Sequence, residues 1–175
     1  GMAGIVMASE RPIYDVASVR RQFPILGRTV NGKPLVYLDS AASAQKPDAV
    51  IDAMSDQMRT AYANVHRGLH TLANETTEAY EAARTKTARF INANSADEIV
   101  FTKGATEAIN LVAHGLSERF KPGDEIIVSI MEHHANIVPW HMVAARTGAR
   151  LVWVGLTDDG ALDMAALKEA LSERT

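Results

Sequence analysis

From residue 98 onward, short runs of consecutive apolar residues alternate with helix-period segments, and this texture limits the chain's folds more than any other feature. Glu98–Thr102, Glu125–Ile130 and Arg150–Leu156 read as three such strands. Between and after them, Ala105–Phe120, Asn136–Arg146 and Asp163–Glu173 carry apolar residues at helical spacing. Strands that are apolar on both faces belong to a sheet covered on both sides. Strands separated by helices run parallel, because a parallel connection must cross over. The expectation is an α/β fold with an incomplete, mainly parallel sheet flanked by helices. The β-α pattern ends at Ser172–Thr175, where a next strand should start, and three strands make a thin sheet with open edges. The chain therefore reads as a fragment.

The first hundred residues are organised differently. Residues 1–26 read as an extended arm with a short helix, capped by Asp15, carrying Val16, Val19 and Phe23, and stopped by Pro24. The opening Gly-Met pair reads as a tag remnant before a start methionine, and Ile5–Ala8 is too short and lacks the basic flank of a secretory signal. Asn31-Gly32 between Arg28–Val30 and Leu35–Leu38 predicts a two-residue hairpin turn. A helix beginning near Pro47 should bury Val50, Ile51, Met54, Met58 and Tyr62. A second, over about Glu75–Ile91, should bury Tyr80, Ala83, Thr87, Phe90 and Ile91.

Composition narrows the function classes. The 175 residues carry 18 Lys and Arg against 21 Asp and Glu, for a net charge of −3 and no basic run, which argues against a nucleic-acid protein. At 47% apolar residues the chain can bury a real core. No stretch approaches the about 18 apolar residues of a membrane helix, so no membrane role and a soluble, cytoplasmic protein are expected. There are no cysteines. That excludes disulfides, thiolate metal sites and a cysteine nucleophile on this chain.

Four segments could carry chemistry. In Thr102-Lys-Gly-Ala-Thr-Glu107, Gly104 permits a tight turn from which the amides of Ala105 and Thr106 point out of a helix N-terminus. With the Thr106 hydroxyl they form a phosphate cradle. The competing structural reading is a plain helix cap, with Glu107 at the third helical position. In Met131-Glu-His-His-Ala-Asn136, past the C-terminal end of a strand where open parallel sheets bind ligands, a histidine can stack on a flat cofactor or shuttle protons. A metal site from His133, His134 and His141 lacks the zincin spacing, and none is expected. In Asn64-Val-His-Arg-Gly-Leu-His70, two imidazoles and the Arg67 fork fit anion or carboxylate handling, or a loop capped by its own side chains. The small residues of Leu38-Asp-Ser-Ala-Ala-Ser-Ala-Gln-Lys-Pro47 allow close backbone approach to a ligand, or tight packing.

Together these segments resemble the Suf-type cysteine desulfurases, class V aminotransferase-like enzymes that use pyridoxal 5′-phosphate (PLP). The matching stretches are Tyr37–Pro47, Val65-His-Arg-Gly-Leu-His70, Gly104-Ala-Thr-Glu-Ala-Ile-Asn110 and Glu132-His-His-Ala-Asn-Ile-Val-Pro-Trp140, in order, from about Val19 to the end. The double histidine and Asn-Ile-Val-Pro-Trp resemble the Suf rather than the Nif/Isc branch.

The resemblance implies the PLP-dependent transferase (aspartate aminotransferase-like) fold. Residues 1–32 would be an arm and the start of a hairpin, belonging to the small domain. Residues 33–175 would be the N-terminal part of the PLP-binding large domain. It also implies that Ala105 and Thr106 hold the PLP phosphate, and that His133 stacks on the ring and aids proton transfer. His66 and Arg67 would lie near the active site at a homodimer interface, and Ala41 and Ala42 would line the substrate pocket. The implied reaction takes sulfur from L-cysteine, giving L-alanine and an enzyme persulfide for iron–sulfur cluster assembly, with a sulfur-acceptor protein as partner.

The Schiff-base Lys, the Asp at the pyridine nitrogen, the Arg for the substrate carboxylate and the persulfide Cys of such enzymes have no counterpart here. Lys103, Lys121 and Lys168 stand in no matching motif. The 175-residue chain alone is therefore expected to make no alanine or sulfide beyond a PLP-only control. Readings of another kind are a non-catalytic module binding a phosphate ligand or a partner, and a selenocysteine lyase of the same superfamily.

Overall fold

A computed structural model describes residues 13–175, so the first part of the expected arm lies outside the described residues. The chain forms two compact units, one ending at Glu98 and the other spanning Ile99–Thr175.

The first unit opens with α1 (Val16–Arg21), capped as its sequence predicts: the Asp15 carboxylate accepts from Ser18 N at 3.0 Å. A 3-10 turn over Pro24–Gly27 follows. The hairpin forms between β1 (Thr29–Val30) and β2 (Lys33–Pro34), with Asn31 and Gly32 at φ 52° and 73°. Both values lie in the left-handed region a type I′ turn requires. The strands are shorter than expected. Pro34 has no N–H to extend the ladder, and one more bond, Leu35 N to Arg28 O at 3.1 Å, closes it.

Two long helices complete this unit, α2 (Asp48–Thr60) and α3 (Thr71–Phe90). The second starts four residues before its expected position at Glu75. His70 caps it, Nδ1 accepting from Ala73 N at 3.3 Å, and Thr76 and Thr77 return their hydroxyls to Leu72 O and Ala73 O at 2.8 Å each. Those side chains, which argue for a loop when read in isolation, are satisfied inside the helix. The expected inner faces need correction. Val50, Ile51, Met54 and Met58 are exposed, Tyr62 lies past the end of α2 and is exposed, and Phe90 is 89% exposed. The residues that α3 buries are Ala73 and Ala88.

In the second unit, α4 (Ala105–Leu116) continues as a 3-10 turn to Arg119. It is followed by β3 (Glu125–Ser129), a 3-10 turn over His134–Asn136, α5 (Val138–Thr147), β4 (Arg150–Val154) and α6 (Met164–Ala170). The strands β3 and β4 run parallel, in register from Glu125 opposite Arg150 to Ser129 opposite Val154. The core is small and aliphatic: Ala113, Val128, Val143, Ala149 and Val154 are buried, while Val112, expected inward, is half exposed. Pro139 near the start of α5 delays that helix past Asn136, since Pro suits a first turn.

The expected strand over Glu98–Thr102 does not form; the described parallel sheet has two strands, not three. An apolar run marks a segment able to be a strand, but only a ladder makes it one. Among the described residues the parallel ladder joins β3 to β4 alone. No described helix is long and apolar enough to cross a membrane.

The last helix is also shorter than expected, because the chain turns back at Ser172. Its hydroxyl donates to Glu125 Oε1 at 2.8 Å, and Arg174 O accepts from Glu125 N at 2.8 Å. The Arg174 guanidinium donates to Pro122 O at 2.7 Å and meets Asp124 Oδ1 at 3.3 Å. This clip fastens the turn that leads into β3. Arg174→Ala should cost about 1 kcal/mol, the worth of one charge-assisted bond in a half-exposed setting. A urea midpoint unchanged from wild type would show that the clip contributes nothing.

Candidate functional site

The second unit holds the phosphate-cradle sequence. Gly104 precedes α4 in extended backbone and offers no side-chain cap. A Cβ added there would meet nothing within 4 Å, so the space beside Gly104 is open. The first intrahelical bond is Ala108 N to Gly104 O at 3.1 Å, which leaves the amides of Ala105, Thr106 and Glu107 directed out of the helix. Both readings of this segment have a structural counterpart. The Glu107 carboxylate turns back to accept from Lys103 N at 3.2 Å, as a capping residue does. Ala105 and Thr106 are exposed, at the positive end of the helix dipole. The donor set fits a phosphate group.

His133 lies in the same unit, capping the 3-10 turn that packs against α4. Its ring is exposed, and Nδ1 accepts from Ala135 N at 3.1 Å. An Nδ1 that accepts places the ring proton of the neutral imidazole on Nε2. His134 meets His133 edge-on at 6.0 Å between ring centroids, whereas the His141 ring lies 6.0 Å from Trp153. Among the described residues no group of three or more His, Cys, Asp or Glu side chains is placed to hold a metal ion.

The remaining candidates belong to the first unit. Ala41 and Ala42 sit exposed on a turn folded around Asp39, whose carbonyl accepts from both Ala42 N and Ser43 N at 3.1 Å. The Tyr37 hydroxyl braces the turn by donating to Asp39 O and Ser43 O. His66 has φ 67°, uncommon for a residue with a side chain, and is held there from several sides. Its amide donates to Thr77 Oγ1 at 2.9 Å, its Nε2 lies 2.6 Å from Glu81 Oε1, and its ring meets Tyr80 edge-on. Arg84 completes the cluster, Nε donating to the other Glu81 oxygen at 3.1 Å. Arg67, next to His66, is exposed, and none of the ion pairs among the described residues involves it.

Glu81 escaped sequence reasoning because it stands fifteen residues from His66. The available signal was its spacing: Ala73, Thr77, Glu81 and Arg84 share one face of α3. The hydrogen bond from His66, opposed by desolvation and aided by Arg84, holds the Glu81 carboxyl below the ordinary glutamate range. A depressed value means the contact is fully present above the ordinary glutamate pKa and is lost as pH falls through the lowered one. The Glu81 side-chain carbon signal should therefore titrate below the ordinary value and move back up in His66→Ala. Identical titrations in the two proteins would exclude the coupling.

Parallel strands joined through helices, with an open helix N-terminus and a histidine turn packed on that helix, define an α/β protein. The sequence pattern of the aminotransferase class-V family matches residues 36–175, and the chain belongs to that family. It is 56% identical over 163 residues to a cysteine desulfurase of Dickeya dadantii (strain 3937), covering 93% of this chain and 40% of that protein. It is 52% identical over 169 residues to a probable cysteine desulfurase of Streptomyces coelicolor, with the same coverage. The apo cysteine desulfurase of Thermococcus onnurineus NA1 superposes with a TM-score of 0.80 at 37% identity, over 93% of this chain and 38% of that one. The cysteine desulfurase CsdA of Escherichia coli gives 0.75 at 44% identity, over 93% and 40%. The fold is that of these enzymes, and the chain spans about 40% of the length of the relatives it matches.

Proposed function

We propose that this chain forms the cofactor-cradle part of a PLP-dependent cysteine desulfurase, which converts L-cysteine to L-alanine and an enzyme-bound persulfide. The observation that carries the reading is the open N-terminus of α4 at Gly104–Thr106, with the His133 turn packed against the same helix. The identity to cysteine desulfurases across 93% of the chain supports the choice of substrate.

Bound PLP supplies an electron sink next to the substrate's α-carbon. Within this chain, the amides of Ala105 and Thr106 bind its phosphate and the Thr106 hydroxyl adds a donor. His133 would hold the pyridine ring of that cofactor, and with a proton on Nε2 it would be able to move one near the substrate. Ala41 and Ala42 line the substrate pocket with backbone. His66 and Arg67 stand near the active site at the interface of a homodimer, where Arg67 presents a free fork to an anion. With no cysteine among these 175 residues, the thiolate that becomes the persulfide belongs to sequence outside them. Residues 33–175 then form the first part of the PLP-binding large domain and residues 1–32 the arm and hairpin start of the small one. The enzyme works in the cytoplasm and passes sulfur to an acceptor protein for iron–sulfur cluster assembly.

The test is L-cysteine turnover by a protein of family length that contains this chain, following alanine and sulfide under reductant. Alanine and sulfide in equal amounts are expected. Tight phosphate-ligand binding without turnover would replace the enzyme with a binding module. Strong preference for L-selenocysteine would make it a lyase for that substrate.

A further inference from the structure

The strand end, turn and helix around His133 are joined by side-chain hydrogen bonds that the reading above does not use. The Ser129 hydroxyl, at the end of β3, donates to Glu132 Oε1 at 3.0 Å. Asn136 Nδ2 donates to Glu132 Oε2 at 3.0 Å, and Trp140 Nε1 donates to Asn136 Oδ1 at 2.8 Å. The order of donors is fixed. An indole only donates, so the amide oxygen of Asn136 must face Trp140. Its NH2 must then face Glu132, whose carboxylate only accepts.

The same asparagine also grips the backbone of the histidine: Asn136 N donates to His133 O at 2.8 Å. His133 is thus held at both ends, its carbonyl by Asn136 N and its ring by Ala135 N. Glu132, Asn136 and Trp140 are each part-buried, whereas the ring they hold in place is exposed. Spacing makes the relay a product of local sequence, since residues 132, 136 and 140 succeed one another at i, i+4 intervals along the turn and the first turn of α5.

We infer that Glu132, Asn136 and Trp140 are positioning residues, a directed relay that sets the placement and Nε2–H tautomer of the His133 ring. The inference rests on the proposed function only in taking His133 as the ring that meets the cofactor. A ring that stacks must be held in one plane before the ligand arrives, or binding bears the cost of ordering it. The relay supplies that order from part-buried groups, leaving the exposed ring face free.

The polarity of the relay supplies the test. Asn136→Asp sets a second carboxylate against that of Glu132, 3.0 Å apart in the present geometry, and breaks the chain. Adding Glu132→Gln restores it with one bond reversed. The new amide donates to the aspartate, which still accepts from Trp140, and the glutamine oxygen still accepts from Ser129. The readouts, on the whole 175-residue chain, are Ala135 amide exchange and the ring 15N signals of His133.

In wild type, Nδ1 should appear unprotonated and hydrogen-bonded. In Asn136→Asp the Ala135 amide should exchange about fivefold faster, the worth of one hydrogen bond, and the ring signals should broaden. The double variant should return both to wild-type values. Trp140→Phe, which removes one donor and keeps the helix, should shift both in the same direction by a smaller amount. It stands in if Asn136→Asp fails to fold.

A folded Asn136→Asp or Trp140→Phe with unchanged exchange and ring signals would overturn the relay, as would a double variant that is not restored. The proposed function is tested separately by adding pyridoxamine 5′-phosphate to wild type. Unmoved His133 signals, beside an intact variant pattern, would count against His133 as the cofactor-facing ring while upholding the relay.

Discussion

His133→Ala, in a protein of family length containing this chain, is expected to lower alanine formation from L-cysteine by about a hundredfold or more, the usual worth of a placed acid–base group. The substitution removes a ring face and a proton donor together, so turnover should fall and the cofactor should leave more readily on dialysis. The fold should survive. The ring is exposed and, among the described residues, its hydrogen bond is to Ala135 N, so circular dichroism and the unfolding midpoint should scarcely move. His134→Ala is the control, since that ring touches His133 only edge-on. The two variants losing activity equally, or neither losing it, would remove His133 from the chemistry.

Gly68→Ala should destabilise the first unit by about 2 kcal/mol, the typical cost of forcing extra volume into a packed site. The reason is closeness, not backbone conformation. A Cβ on Gly68 would fall within the radius of Ala73 Cβ, and Ala73 is 1% exposed at the first turn of α3. Neither side can yield cheaply, because Ala73 N is bonded to His70 and Ala73 O to Thr77. Relief would come from moving the loop, and that loop carries Arg67 and the strained His66. The urea midpoint should therefore fall together with loss of the His66–Glu81 contact. Wild-type stability in this variant would refute the close-packing account of the glycine in Val65-His-Arg-Gly-Leu-His70.

Much of the local structure was legible because it depends on neighbours in sequence. Asp15 and Asp163 cap their helices through bonds to residues three positions on. Asn31-Gly32 makes its turn, and Gly104 opens α4 where the phosphate cradle was expected. Each of these is decided within about one helical turn. The missed features involve longer spans. Glu81 meets His66 across fifteen residues, and Arg174 reaches Pro122 across fifty-two. The relay from Glu132 to Trp140 lay within reach of sequence reasoning, since its steps are i, i+4.

Sequence by itself determined the α/β pattern, the order of the helices and turns, and the helix start after Gly104, because periodicity and caps are local. Tertiary structure alone decided which apolar faces are covered. The stripe of Val50, Met54 and Met58 is apolar at helical spacing, yet it is exposed, while small Ala73 and Ala88 are buried. It also decided that residues 99–102 do not form a strand and that, among the described residues, the parallel sheet has two strands. Burial and strand pairing are relations between distant segments, and no residue carries them in its own side chain.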